Sequence, residues 1–152
     1  MLYCLRLKSL LPSFFPNMKI EVSSTKQIYS YYEEEIQILF TEYKGMFNEE
    51  NAFEHFHKVE AFVSGRPLLG IVADLRKLNG SYNKVMEYFK SEGYPKIKKS
   101  GLIAEAFIIS DDIMINYLTE KLMSVLKQNN VRCSCFDSEK EAHSWILTEI
   151  GK

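Results

Sequence analysis

The stretch Val72–Phe89, VADLRKLNGSYNKVMEYF, brings an aspartate, a basic step and a serine close together. Asp74 closes an apolar run, the position where α/β proteins place ligands. It is either a phospho-accepting carboxylate or a carboxylate that accepts from loop amides and pairs with Arg76. Ser81 follows the turn signal Asn79–Gly80 and precedes a helical pattern. A phosphate on Ser81 would gain from helix amides and from the dipole. The plainer reading is an N-cap, whose loss costs about 1 kcal/mol. The residues Asp74, Arg76, Asn79, Gly80 and Ser81 are the candidate interaction or switch loop.

Other chemistry-bearing residues are weaker candidates. Asp111–Asp112 resembles a metal doublet, but acidic residues in a first helical turn also complement the dipole. His55 and His57 lie two apart, so one helix points them to different faces and cannot offer them as a zinc pair. Cys133 and Cys135 alternate on a strand and share a face, as buried free thiols would. His143 is the nearest further ligand, and this spacing makes no recognised metal site. With Cys4 the count is three, too few and too odd for a disulfide framework. The sequence has no nucleophile elbow, no Gly-rich phosphate loop and no spaced carboxylate–histidine set. The expectation is therefore a non-catalytic protein without cofactor or metal.

The elements that must position these residues follow from pattern. Gln27–Tyr32 and Glu35–Tyr43 read as two antiparallel strands, with Glu33–Glu34 as a turn and Ile36, Ile38 and Phe40 on one face. Asn48 caps a helix carrying Ala52, Phe53, Phe56, Val59 and Val63. Leu68–Val72 is a strand buried on both faces. Arg76–Gly80 is a loop, and Ser81 caps a helix with Tyr82, Val85, Met86 and Phe89 inward, stopped by Gly93 and Pro95. Gly101–Ile109 is a further strand. Ser110 caps a long helix with Met114, Leu118, Leu122 and Val125 inward. Val131–Phe136 is the last strand. Ser138 and Glu141 have the capping-box spacing of a last helix with Ala142, Trp145 and Ile146 inward. The order is β-β-α-β-α-β-α-β-α: an α/β sandwich with a mixed sheet of about five strands and four helices.

Bulk properties suit one domain. The chain has 152 residues, 46% hydrophobic and 26% charged, with a formal net charge of -1. That size supports a core without staples. The charge balance gives no footprint for nucleic acid, and the cluster Lys96, Lys98, Lys99 reads as a solvated loop. Residues 1–17, MLYCLRLKSLLPSFFPN, are apolar and basic, without an acidic residue. Arg6, Lys8, Pro12 and Pro16 interrupt the run, which suits neither a secretory signal nor a bilayer span. The expectation is an N-terminal extension over 1–17, non-native or disordered, with Met18 as the biological start. A short membrane-surface anchor is the alternative. Residues 18–152 are expected to form one cytoplasmic domain.

Three strings carry a resemblance: IVADLRKLNGSYNKVMEYFKSEG, GLIAEAFII and VRCSCFDSEKEAHSWIL. Over roughly residues 27–148 the chain resembles the SpoIIAA-like, STAS-type group of small bacterial proteins. Asp74, Leu75 and Arg76 match its step after the third strand, and Ser91 and Glu92 its Ser-Glu pair. Phe136, Glu141, Ala142, Trp145 and Ile146 match its closing segment. The resemblance implies a STAS-like sandwich whose role is binding or regulation. Some relatives switch through a serine in an Asp-Ser-Ser-Gly motif. Here Asn79, Gly80, Ser81 and Tyr82 stand in its place, so that mechanism is not carried over.

Three functional expectations result. The first is a regulatory domain binding a protein partner through the surface formed by the Asp74–Ser81 loop and the helix after it, with the oligomeric state, a homodimer included, left open. The second is a binder of a small apolar, lipid-like ligand, since 13% aromatic residues and six methionines suit a pocket between sheet and helices. The third is a phospho-accepting receiver-like domain. It is the weakest, because Tyr31, Tyr32 and Glu33 do not supply the acidic pair that would hold magnesium. Neither nucleic acid nor stable membrane insertion is expected.

Overall fold

The computed structural model describes residues 18–152. The expected extension over 1–17, and Cys4 within it, lie outside the described residues. Six strands form one sheet in the order β1-β2-β3-β4-β5-β6, one more than the pattern predicts. They are β1 (Lys19–Ser24), β2 (Ile28–Glu33), β3 (Ile38–Met46), β4 (Gly70–Asn79), β5 (Ala104–Ile108) and β6 (Arg132–Phe136). The first three pair antiparallel and the last four parallel.

The additional strand is β1. Only Ile20 and Val22 give it apolar character, and both are half-buried at the sheet edge. Thr25 closes its hairpin: its Oγ1 accepts from Ile28 N at 2.9 Å and its own N–H donates to Ile28 O at 2.8 Å. The turn before β3 is longer than Glu33–Glu34. It takes in Ile36, which packs on the same cluster as Ile38 and Phe40.

Helix α1 (Glu49–Val63) starts as expected: Asn48 Oδ1 accepts from Asn51 N at 2.9 Å. The next helical segment, α2 (Asn83–Lys98), differs from expectation. A 3₁₀ turn leads into an α turn, a π turn over Phe89–Gly93 and a last α turn over Tyr94–Lys98. Gly93 and Pro95 do not stop it, because Pro95 falls in the first turn of the new α segment, where its missing N–H costs nothing. The basic cluster therefore sits on a helix end; Lys98 Nζ donates to Leu102 O and Asn130 O.

Helix α3 (Ile113–Gln128) is capped by Asp112, whose Oδ1 accepts from Ile115 N at 2.9 Å, and not by Ser110. Its inward face shifts accordingly to Ile115, Leu118, Thr119, Leu122 and Leu126, leaving Met114 exposed. Helix α4 (Glu139–Ile150) keeps the expected cap, Ser138 Oγ accepting from Glu141 N at 3.3 Å.

The strand order decides where the helices go. All three crossovers from β3 to β6 step the same way across the sheet. With right-handed connections they fall on one face. The core obeys: α1, α2 and α3 pack on Leu39, Ile71, Ala73, Leu75 and Phe107. Helix α4 follows the last strand and covers the opposite face, where Ala142, Ile146 and Ile150 meet Ile38, Phe40, Val72, Ala104, Ala106 and Ile108. The approach is close at Gly70, where a Cβ would stand 2.9 Å from Ile146 Cγ1.

Candidate functional site

Strand β4 runs through the predicted loop. Asp74 opposes Glu42, and after a bulge Lys77, Leu78 and Asn79 pair with Lys44, Gly45 and Met46. Leu75 and Arg76 together face Tyr43, so the extra residue lies in β4. A bulge re-aims side chains, and here Arg76 folds back on Asp74. Arg76 Nε and Nη2 reach Asp74 Oδ1 and Oδ2 at 3.0 and 2.6 Å, and Arg76 N donates to Oδ1 at 3.1 Å. Burial raises the Asp74 pKa, but the guanidinium and amide outweigh it and hold the carboxyl below its ordinary range. The Asp74 carboxylate is thus engaged by its neighbour.

Of the other predicted residues, Asn79 ends the strand and Gly80 turns the chain at φ +83°. A Cβ at Gly80 would stand 2.6 Å from the mobile Sδ of exposed Met46, and the positive φ is what favours glycine there. Ser81 is exposed, and its Oγ accepts from Asn83 N at 3.3 Å. It shapes the turn before α2 without capping a regular helix, since Tyr82 holds the cap position. Asp111 and Asp112 precede α3, and among the described residues no three His, Cys, Asp or Glu converge as a metal site would need. His55 is buried and His57 exposed, as their spacing requires. Cys133 and Cys135 are free and share the face toward α3, against Met123.

The structure adds a site that local spacing does not reveal. Between β3–β5 and helices α1 and α2 lies a cavity of about 90 Å³. Its wall is mostly apolar: Leu39, Ile71, Ala73, Phe56, Phe89 and Phe107 contribute. Into this wall projects Glu105, only 4% exposed. Its strand alternation, Ala104-Glu105-Ala106-Phe107, puts it on the three-helix face of β5, opposite Ile71 and Cys133. Glu105 Oε2 accepts from Tyr94 Oη at 2.9 Å. No cation pairs with it among the described residues. Burial dominates, and its pKa rises to about 8 despite the Tyr94 bond. At neutral pH the group is therefore largely a protonated acid.

Polar neighbours surround it. The hydroxyls of Tyr43, Tyr82 and Tyr94 are all pushed up by burial and then by the Glu105 charge, with Tyr82 also bonded to Thr119 Oγ1 at 2.8 Å. His55 stands edge-on to Tyr43 at 5.7 Å, and its Nδ1 has no hydrogen-bond partner. Burial, and secondarily Lys58, lowers its pKa to about 4, so it is neutral at neutral pH. At the outer end, Glu60 accepts from Tyr88 Oη and pairs with Lys96 at 3.5 Å. The π turn Phe89–Gly93 supplies two wall residues, and such turns recur at functional sites.

The sequence signal for this site is one acid inside a strand whose other residues are buried and apolar. Together with a helical segment rich in tyrosine, that is the trace the cavity leaves in the chain. No helix among the described residues is long and apolar enough to cross a membrane.

No protein-family model matches the chain, and no curated protein does. A solved structure does: an uncharacterised protein of the DUF3478 family with a SpoIIAA-like fold, from Shewanella loihica PV-4. It superposes with a TM-score of 0.52 at 15% identity, over 88% of this chain and 99% of that one. The fold of this chain is SpoIIAA-like, as the resemblance implies.

Proposed function

We propose that this chain is a non-catalytic binding domain whose cavity takes a small, mainly apolar ligand. The observation that carries the reading is the cavity beneath α1 and α2, apolar in its walls and polar at one buried carboxyl. That is the usual make-up of a small-molecule site. The test is amide chemical-shift titration with ethanol and with xenon. Shifts confined to Ala73, Glu105, Phe89 and their neighbours support the site; no saturable shift with either probe removes it.

A separate observation favours a regulatory role through a protein partner. Ile113, Met114 and Tyr117 are exposed on the first turns of α3, and exposed Met46 lies against Gly80. Ser81 stands exposed in the same turn as Gly80, where a phosphate would change the charge of that surface. Replacing Ser81 by Asp and comparing cross-linked partners in native lysate tests the switch. An unchanged partner set counts against it.

A further inference from the structure

We infer that the cavity's ligand is a small organic ammonium, its charge held by the Glu105 carboxylate and by the tyrosine hydroxyls and rings around it. This rests on the cavity being a ligand site at all.

The electrostatics have one sign. Among the described residues, Glu105 is a buried carboxyl with a single hydrogen bond and no cationic partner. The described residues around it include no Lys or Arg: Tyr43 faces it from β3, His55 lies across from α1, Tyr82 approaches from the turn before α2 and Tyr94 from α2, and Cys133 neighbours it on β6. The second carboxylate of the cavity, Glu60, is already engaged by Tyr88 and Lys96. Neutral His55 offers a partnerless Nδ1 but no positive charge. The aromatic faces of Phe56, Phe89 and the tyrosines present negative π density, which attracts an ammonium. An anionic ligand would meet no counter-charge. A cation would supply what the buried carboxyl lacks.

Size narrows the class. A cavity of about 150 Å³ holds benzene, and this one is about 90 Å³. An ammonium well below benzene in size, ethyl-sized or dimethylated, is the scale that fits.

The proton balance follows. Glu105 meets the ligand as a carboxylic acid. Its O–H bond breaks, the proton leaves to solvent, and an ammonium N–H donates to the carboxylate formed. One positive charge enters and one proton leaves.

The experiment compares ethylammonium with ethanol, a neutral probe of nearly the same shape, on wild type and Glu105→Gln by calorimetry and shift titration. Expected at pH 6.5 is ethylammonium binding roughly 10- to 100-fold tighter than ethanol. About one proton is released per ligand, read from two buffers of different ionisation enthalpy. In Glu105→Gln the ethylammonium advantage disappears and ethanol binding persists. Equal binding of the two probes to wild type, or ethylammonium binding without proton release, overturns the ammonium inference and leaves the cavity reading intact. Binding of neither probe to folded wild type overturns both. The wild-type proton count needs no variant, so a Glu105→Gln chain that fails to fold still leaves a decisive result.

Discussion

One sheet separates two cores of different construction. Under α4 the contacts are small and apolar: Ala104, Ala106 and Ala142 are wholly buried, and Gly70 lets Ile146 sit against the strand. Under α1–α3 the same strands present Glu105, Thr41 and Tyr43, and the helical layer includes an irregular segment and a cavity. Dense apolar packing contributes stability at every atom. A cavity and a buried carboxyl subtract from it. The contrast teaches that the smaller α4 core is wholly apolar, while the larger three-helix core accommodates a cavity and a buried acid, a costly arrangement of the kind proposed above as a binding site.

The largest effect should come from the dry face. Ile146→Ala is expected to lose about 2–5 kcal/mol, read by urea unfolding. A loss as small as that of an exposed residue would break the comparison.

Next comes the pH dependence of the cavity face. The folded-state pKa of Glu105 lies above its unfolded value, so its contribution is best at low pH and is lost as pH rises toward about 8. That of His55 lies below its unfolded value, so its contribution is present above pH ~6.5 and is lost as pH falls toward about 4. Wild type should be most stable in mildly acidic solution. Glu105→Gln should remove the alkaline limb, being on the order of 3 kcal/mol more stable than wild type near pH 8 and close to it at pH 5. Parallel pH profiles for the two chains would contradict a buried, unpaired acid.

The same substitution on the two faces gives a more direct comparison. Ala106→Val, into the α4 face, should cost about 1–3 kcal/mol by overpacking. Ala73→Val, into the cavity wall, should cost less than about 1 kcal/mol and weaken ethanol binding. Equal costs would mean that the two faces are equally tight.

The smallest effect belongs to the predicted loop. The Asp74–Arg76 bridge leaves the Arg76 side chain 37% exposed. Asp74→Asn should cost under about 1 kcal/mol, and less at high salt. Loss of partner binding without loss of stability would restore that segment as the working surface.

Much of the fold was legible because alternation and caps are local. Asn48 and Ser138 cap as their spacing says, and the buried strands are where the apolar runs lie. What escaped was set by pairing. β1 is an edge strand with two apolar residues and becomes visible only beside β2. The extension of β4 through Arg76–Asn79 reads as a polar loop because the bulge sends Arg76 and Lys77 outward together. In α2 the π turn carries the helix past Gly93, a residue that sequence reads as a stop. Composition suggested a pocket between sheet and helices, but its lining was not legible, because the wall is assembled from β3, β4, β5, α1 and α2. Glu105, polar in an apolar strand, and the tyrosines around α2 mark it locally.

The placement of α4 has a consequence for biosynthesis. Every strand and the other three helices emerge from the ribosome before it, at roughly 5–20 residues per second. Until Glu139–Ile150 is released, the sheet can cover only one side of itself. Ile38, Phe40, Val72 and Ile108 then form an open apolar face on a nascent chain, the kind of surface that chaperones bind and that aggregates form from. The smaller of the two cores is the last to close.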